Sequence, residues 1–137
     1  MRRISVSTSV RLEAKDITSL IKSYLHEIYA ESGLVIIFSP HTTAGIMLNE
    51  NADPAVRKDI LDHLSRSIPK DAGFSHAEGN SDAHIKAALT GPSLSLMVEG
   101  GKLLLGQWQG IFLMEFDGPR EREVWIKFLP ELDPNKK

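Results

Sequence analysis

The strongest constraint on the fold is the segment Gln107 to Phe116, QWQGIFLMEF, which reads as a strand with apolar residues on both faces. Successive side chains of an extended chain point to opposite sides. Gln107, Gln109, Ile111, Leu113 and Glu115 therefore share one face, and Trp108, Phe112, Met114 and Phe116 the other. Such a strand has to be covered on both sides. In a chain of 137 residues that requirement points toward an oligomer. Gly106 and Gly110 bracket Trp108, and glycine weakens strand packing, so the pattern marks a bulge or a close approach of another backbone or a ligand. Trp108 itself reads equally as core or interface filler.

The rest of the chain supplies helices and further strands. Ile4, Val6, Val10 and Leu12 alternate, predicting a half-buried strand over residues 4–12. Asp16 is placed to cap a helix carrying Ile17, Leu20, Ile21, Tyr24, Leu25 and Ile28, with Gly33 as its stop. Leu34 to Phe38 reads as a buried strand broken by Ser39-Pro40, and Gly45 to Leu48 as another. Asp53-Pro54 starts a second long helix with Val56, Ile60, Leu61 and Leu64 as its buried stripe and Pro69 as its end. A shorter helix fits Asp82 to Thr90, capped by Ser81 or Asp82 and closed by Gly91. Leu94 to Val98 and Lys102 to Leu105 form a hairpin around Glu99-Gly100-Gly101, and Arg122 to Leu129 is the last strand, after the turn Asp117-Gly118-Pro119. The expected fold is α+β, a single domain over residues 1–137 with a mixed or antiparallel sheet, two main helices and a short one, and a frayed tail over 131–137.

Composition narrows the function. Sixteen basic residues against eighteen acidic give a net charge of −2, so the chain lacks the basic excess of a general nucleic-acid binder. No stretch approaches the roughly 20 apolar residues of a membrane span, and no apolar signal core follows Met1-Arg2-Arg3. A soluble cytoplasmic protein is expected, binding neither nucleic acid nor membrane. With no cysteine, thiolate metal sites and cysteine nucleophiles are impossible, and a metal has only His, Asp, Glu and water to hold it.

Of five histidines, His26 and His63 read as helix-surface residues. His41 follows a buried strand and leads into Thr42-Thr43, while His76 and His84 flank the dense polar segment HAEGNSDAH. Three imidazoles from two loops could form an open metal site. The eight-residue gap between His76 and His84 is not diagnostic of ligands, and three ordinary polar loop residues fit the pattern as well. Asn49-Glu50-Asn51-Ala52-Asp53 sits at a strand-to-helix junction; Asp53 has capping to do, which leaves Glu50 as the candidate acid or base, or simply part of a solvated turn. Arg120 and Arg122 could grip a phosphate or carboxylate, or stand in solvent. No Walker loop, dinucleotide glycine fingerprint or Gly-x-Ser-x-Gly elbow is present.

His41-Thr42-Thr43-Ala44, Leu48-Asn49-Glu50-Asn51, Asp53-Pro54, the His76 to His84 segment with Ala83-His84-Ile85-Lys86, and Gly106-Gln107-Trp108-Gln109 stand in the order of the YjbQ-type family, which the chain resembles from its first strand to Phe128. The family's members are often labelled secondary thiamine-phosphate synthases. Gln107 departs from the threonine usual in that family's Gly-Thr-Trp-Gln motif. The resemblance implies an α+β homotrimer whose characteristic histidines match His41, His76 and His84, holding a divalent metal, zinc or magnesium. It implies a transfer that joins hydroxymethylpyrimidine diphosphate to a thiazole phosphate with release of pyrophosphate. Such chemistry needs the leaving pyrophosphate neutralised and both reactants held together. Thr42, Thr43, Asn49, Asn80, Gln109 and Arg120 are then the expected polar contacts to a small phosphorylated substrate, Trp108 a stacking surface and Glu50 the catalytic carboxylate. Two alternatives stand beside this reading: a metal-dependent hydrolase or phosphatase of another substrate, and a non-catalytic trimeric metal- or ligand-binding protein.

Overall fold

The strand with two apolar faces is central to the architecture. In the computed structural model, which describes residues 1–135, it is β7 (Gln109–Glu115), the middle strand of a three-stranded antiparallel sheet. Its neighbours are β2 (Glu13–Asp16) and β4 (Ala44–Glu50). The second sheet is five-stranded and also antiparallel, in the order β1 (Arg2–Ser7), β8 (Glu121–Pro130), β3 (Gly33–Phe38), β5 (Ser93–Glu99) and β6 (Lys102–Leu103). The helices are α1 (Thr18–Glu27), α2 (Pro54–Ser67) and α3 (Ser81–Thr90). The domain is α+β, as expected, and the expected mixed or antiparallel sheet is antiparallel throughout its described pairings.

Both faces of β7 are covered inside one chain. Ile111 and Leu113 pack into a core shared with Val35 and Ile37 of β3, Val124 and Ile126 of β8, and Ile21 and Leu25 of α1. Phe112, Met114 and Phe116 face Ala83 and Ala87 of α3, with Ile60, Leu61 and Leu64 of α2 closing the edge. The double coverage therefore needs no second copy, which corrects that step toward an oligomer. Burying Phe112 and Phe116 completely contributes about 2 to 3 kcal/mol each.

Several boundaries differ from the sequence reading. The strand predicted over 4–12 splits into β1 and β2, because the chain leaves one sheet for the other between Ser7 and Glu13. Asp16 lies at the end of β2, and its Oδ1 accepts hydrogen bonds from the backbone N–H and hydroxyl of Thr18, so it caps α1 from one residue outside the N-cap. Gly33 does not stop α1. It opens β3 at a φ of +154°, where a Cβ would stand 2.1 Å from the Leu129 carbonyl oxygen. Asp53 caps α2 as expected, accepting the Ala55 N–H at 2.9 Å. The helix has no fully buried residue, since its apolar stripe rests on a sheet edge. Asp82 is not the cap of α3; Asn80 holds that position and Asp82 is buried. The hairpin turn is Gly100-Gly101, with positive φ at both residues as a two-residue primed turn requires. Residues 131–135 are exposed and without strand or helix, and residues 136–137 of the expected tail lie outside the described part.

Candidate functional site

The loop after β3, the start of β4, the N-terminus of α3 and the turn between β7 and β8 meet at one end of the three-stranded sheet. They enclose a polar cleft of about 340 Å³ lined by His41, Thr42, Thr43, Asn80, His84 and Arg120, with Glu78 at its edge and Arg122 beneath. Seven of the residues picked from the sequence, Arg122 among them, come together here.

The floor is a buried ion pair. Arg122 and Glu115 have side-chain exposures of 5% and 0% and meet side by side, with Arg122 Nε donating to Oε1 at 2.9 Å and Nη2 donating to Oε2. The Thr8 hydroxyl donates to Glu115 Oε1 at 2.7 Å, and the Phe116 N–H to Oε2 at 3.1 Å. Arg122 Nη2 also donates to Thr43 Oγ1 at 2.8 Å. Burial pushes the Glu115 carboxyl upward, but the bonds from Arg122 and Thr8 outweigh it and hold the group below its ordinary range. Arg122 thus grips a carboxylate of its own chain, and its charge is spent inside the fold. Glu115 itself was visible in the sequence as the one charged residue in a run of apolar strand positions.

Asp82 organises the wall behind α3. It receives Arg11 through two bonds of 3.0 and 3.1 Å, and Lys86 Nζ at 2.9 Å. Burial opposes its ionisation, yet Arg11 and Lys86 hold its carboxyl at about 2. Beside it, Asp117 Oδ2 accepts from Asn80 Nδ2 at 2.9 Å and from Arg120 Nη2 at 3.1 Å, while the Asp117 carbonyl accepts Arg120 Nε at 2.9 Å. Asn80 Oδ1 is buried and is the one buried side-chain polar atom among the described residues with no hydrogen-bond partner.

The three expected metal-binding histidines are not equivalent. His76 and His84 stand edge to face with ring centroids 5.3 Å apart, and Glu78 Oε2 lies 3.7 Å from His76 Nε2. Two imidazoles bound tetrahedrally to one zinc at the usual distance place their centroids about 5 Å apart, so this pair has the spacing for a shared cation. His41 is engaged elsewhere. Its Nε2 accepts the Glu123 backbone N–H at 2.9 Å, so the neutral ring carries its proton on Nδ1 and offers no free lone pair. Burial, followed by the nearby Arg122 charge, pushes the His41 imidazole down, against the opposing Glu115 and Glu123 carboxylates. Among the described residues no set of three or more His, Asp or Glu side chains gathers around a common point. The residues present thus fit a cation in part, through His76 and His84.

Asn49, Glu50, Trp108 and Gln109 lie elsewhere. Gln109 pairs with Glu50 at the far end of β4 and β7, six residues along from Ala44, or about 20 Å at the usual strand rise. Trp108 is 56% exposed. Gln109 Oε1 accepts the Gly106 N–H at 2.8 Å, Asn49 Oδ1 accepts the Glu50 N–H at 2.7 Å, and Asn51 N–H donates to the Trp108 carbonyl at 2.9 Å. A Cβ on Gly110 would meet the Asn51 side chain at 2.5 Å, which explains that glycine as a close approach within the chain. Part of the Gly-Gln-Trp-Gln signature therefore shapes a loop.

No described helix is long and apolar enough to cross a membrane. Residues 2–131 match the family model described as UPF0047 protein YjbQ-like. The chain is 51% identical over 127 residues to the UPF0047 protein MJ1081 of Methanocaldococcus jannaschii, covering 93% of this chain and 92% of that one. It is 44% identical over 130 residues to the UPF0047 protein YugU of Bacillus subtilis, covering 94% and 98%. Among solved structures, an uncharacterised conserved protein of the family from Clostridium acetobutylicum superposes with a TM-score of 0.92 at 49% identity, covering 94% of this chain and all of that one. The hypothetical protein APE1520 of Aeropyrum pernix superposes at 0.91 with 34% identity, covering 95% and 98%. With sequence and fold in agreement along nearly its whole length, this chain belongs to the YjbQ (UPF0047) family.

Proposed function

We propose that the cleft between β4, α3 and the β7–β8 turn is the active site of an enzyme acting on a small phosphorylated substrate, and that the reaction is the thiamine-phosphate synthase type of transfer. The observation that carries this reading is the convergence of His41, Thr42, Thr43, Asn80, His84 and Arg120, from three separate segments, on one cleft of small-molecule size. The donors suit a diphosphate. Arg120 keeps guanidinium hydrogens beyond those given to Asp117, the Thr42 side chain is exposed, and the neutral His41 ring presents Nδ1–H. Their charge is largely balanced by Asp117, so a cation held by His76 and His84 completes the neutralisation of a leaving pyrophosphate. Imidazole ligands favour zinc over magnesium in that position.

Within one chain, Asn49, Glu50, Trp108 and Gln109 are too distant to touch a ligand in the cleft. They join the site from a second copy, and the homotrimer is part of this proposal.

The test combines elemental analysis, solution mass and turnover. The native protein is expected to carry stoichiometric zinc as a trimer and to form thiamine phosphate from hydroxymethylpyrimidine diphosphate and thiazole phosphate. His76→Ala and His84→Ala are expected to lose metal and turnover together. Metal-free protein that stays active after both changes overturns the metal reading. Hydrolysis of phosphate esters that a chelator abolishes, without any transfer, replaces the synthase by the hydrolase; metal binding without turnover on any substrate replaces both by a binding protein.

A further inference from the structure

The orphaned oxygen of Asn80 says what the ligand must carry. Asn80 is 92% buried in the wall of the cleft, and a buried amide oxygen without a donor costs about 1 to 3 kcal/mol. Its orientation follows from its partner. An ionised carboxylate only accepts hydrogen bonds, so the amide NH2 must face Asp117 Oδ2, and the group left over is the acceptor. The same Asp117 oxygen receives Arg120 Nη2, so the amide and guanidinium nitrogens stand within about 6 Å of one another. One carboxylate thus fixes two unlike contacts side by side: a cationic donor for an anion, and a neutral acceptor for an N–H or O–H.

We infer that Asn80 is the specificity contact of the cleft and Asp117 its positioning residue, selecting phosphorylated molecules that carry a hydroxyl or amino donor about two carbons from the phosphate. A bare phosphate monoester satisfies Arg120 and leaves Asn80 Oδ1 orphaned. A hydroxylated or aminated one satisfies both. The inference rests on the reading of the cleft as a site for phosphorylated ligands and adds to it the second half of the pharmacophore. Asp117 is kept ionised, because the bonds from Asn80 and Arg120 outweigh the burial that would raise its carboxyl, so the orientation persists through the neutral pH range.

The test compares two probes of equal heavy-atom count, 2-hydroxyethyl phosphate and propyl phosphate, by calorimetric titration of the native protein. The hydroxyl compound is expected to bind five- to tenfold more tightly although it is the less hydrophobic. Asn80→Ala should bring that ratio close to one while phosphate binding through Arg120 remains. Asp117→Asn, whose amide donates as well as accepts, frees the Asn80 amide to turn over, and the ratio should fall with Asn80 itself intact. A side chain with only a structural role would alter both affinities together and leave their ratio unchanged. Equal affinity of the native protein for the two probes overturns this inference and leaves the phosphate cleft standing. Binding of neither probe overturns both. The native ratio decides the matter even where a variant fails to fold.

Discussion

Arg122→Ala tests whether the floor of the cleft is held electrostatically. The substitution leaves Glu115 fully buried with bonds from Thr8 and the Phe116 N–H but no cation. Removing one partner of a buried pair costs about 3 to 5 kcal/mol, because the remaining charge has lost its counterion and cannot regain water. Unfolding entropy near 2.1 cal/mol/K per residue gives a 137-residue chain about 0.3 kcal/mol per degree, so Tm should fall by roughly 10 to 17 °C. The pH dependence separates this cause from lost packing. In the native protein the Glu115 carboxyl lies below its unfolded value, so its contribution is complete above that value and is lost as pH falls through the lower, folded one. In the variant the Arg122 bonds are gone and burial prevails, so the carboxyl rises above its unfolded value and its protonation relieves the penalty. The difference in stability between the two proteins should therefore shrink as pH falls from 7 toward 4. Urea unfolding followed by circular dichroism at several pH values measures it. A loss below about 1 kcal/mol at pH 7, or a gap that stays constant down to pH 4, refutes the reasoning. Replacing both residues, as in E115L with R122M, should cost less than R122A alone, since an apolar pair leaves no stranded charge.

Asp82, held at about 2, contributes stability that is fully present above its unfolded value near 3.8 and is lost as pH falls toward 2; acid titration of stability should show a slope worth about 2 kcal/mol over that interval, absent in D82N. Gly33→Ala should destabilise by more than about 2 kcal/mol in thermal unfolding, because the new Cβ meets the Leu129 carbonyl oxygen, whereas Gly79→Ala, at φ +74° with open space around it, should cost only about 1 kcal/mol. Trp108→Ala should leave the fold intact, since the ring is more than half exposed, yet weaken ligand binding if the proposed trimer brings the ring to a neighbouring cleft; unchanged affinity removes Trp108 from the site.

The sequence was most informative where local chemistry decides structure. Asp53-Pro54 starts a helix whatever lies around it, Gly100-Gly101 turns a hairpin, and the two apolar faces of β7 require two covers. What it could not show was which partner each group finds across the chain. Asp82 has the pattern of a helix cap, yet Arg11, 71 residues away, takes its carboxylate. Arg122 has the pattern of an anion grip, yet the turn from β7 into β8 brings Glu115, seven residues earlier, to it first. His41, His76 and His84 were grouped by type; His41 and His84 do line one cleft and His76 stands against His84, but a backbone N–H on β8 claims the His41 lone pair. Asn49, Glu50, Trp108 and Gln109 joined the histidines through the family resemblance, and the length of β4 and β7 carries them to the other end.

The two sides of the cleft differ in burial and hydrogen bonding, and that division bears on how the proposed site would bind. Its floor ties Thr8, Thr43, Glu115 and Arg122 into one buried network, so three segments remote in sequence hold one another in place. Asn80 and Arg120 inherit that rigidity through Asp117, and His84 through the half-buried first turn of α3. The opposite rim, residues 69–79, is exposed at every position and carries His76 and Glu78. Preorganised donors bind at small entropic cost, whereas each ordered side chain of a loose rim costs roughly 0.5 to 1.5 kcal/mol. On the proposed reading, a phosphate and its neighbouring donor group are read by the floor and wall, and His76 reaches them from the exposed rim through a cation shared with His84. Selectivity then resides with Asn80 and Arg120, and retention with His76. On that reading, a substitution in the wall should change which ligand binds, and a substitution in the rim how long it stays.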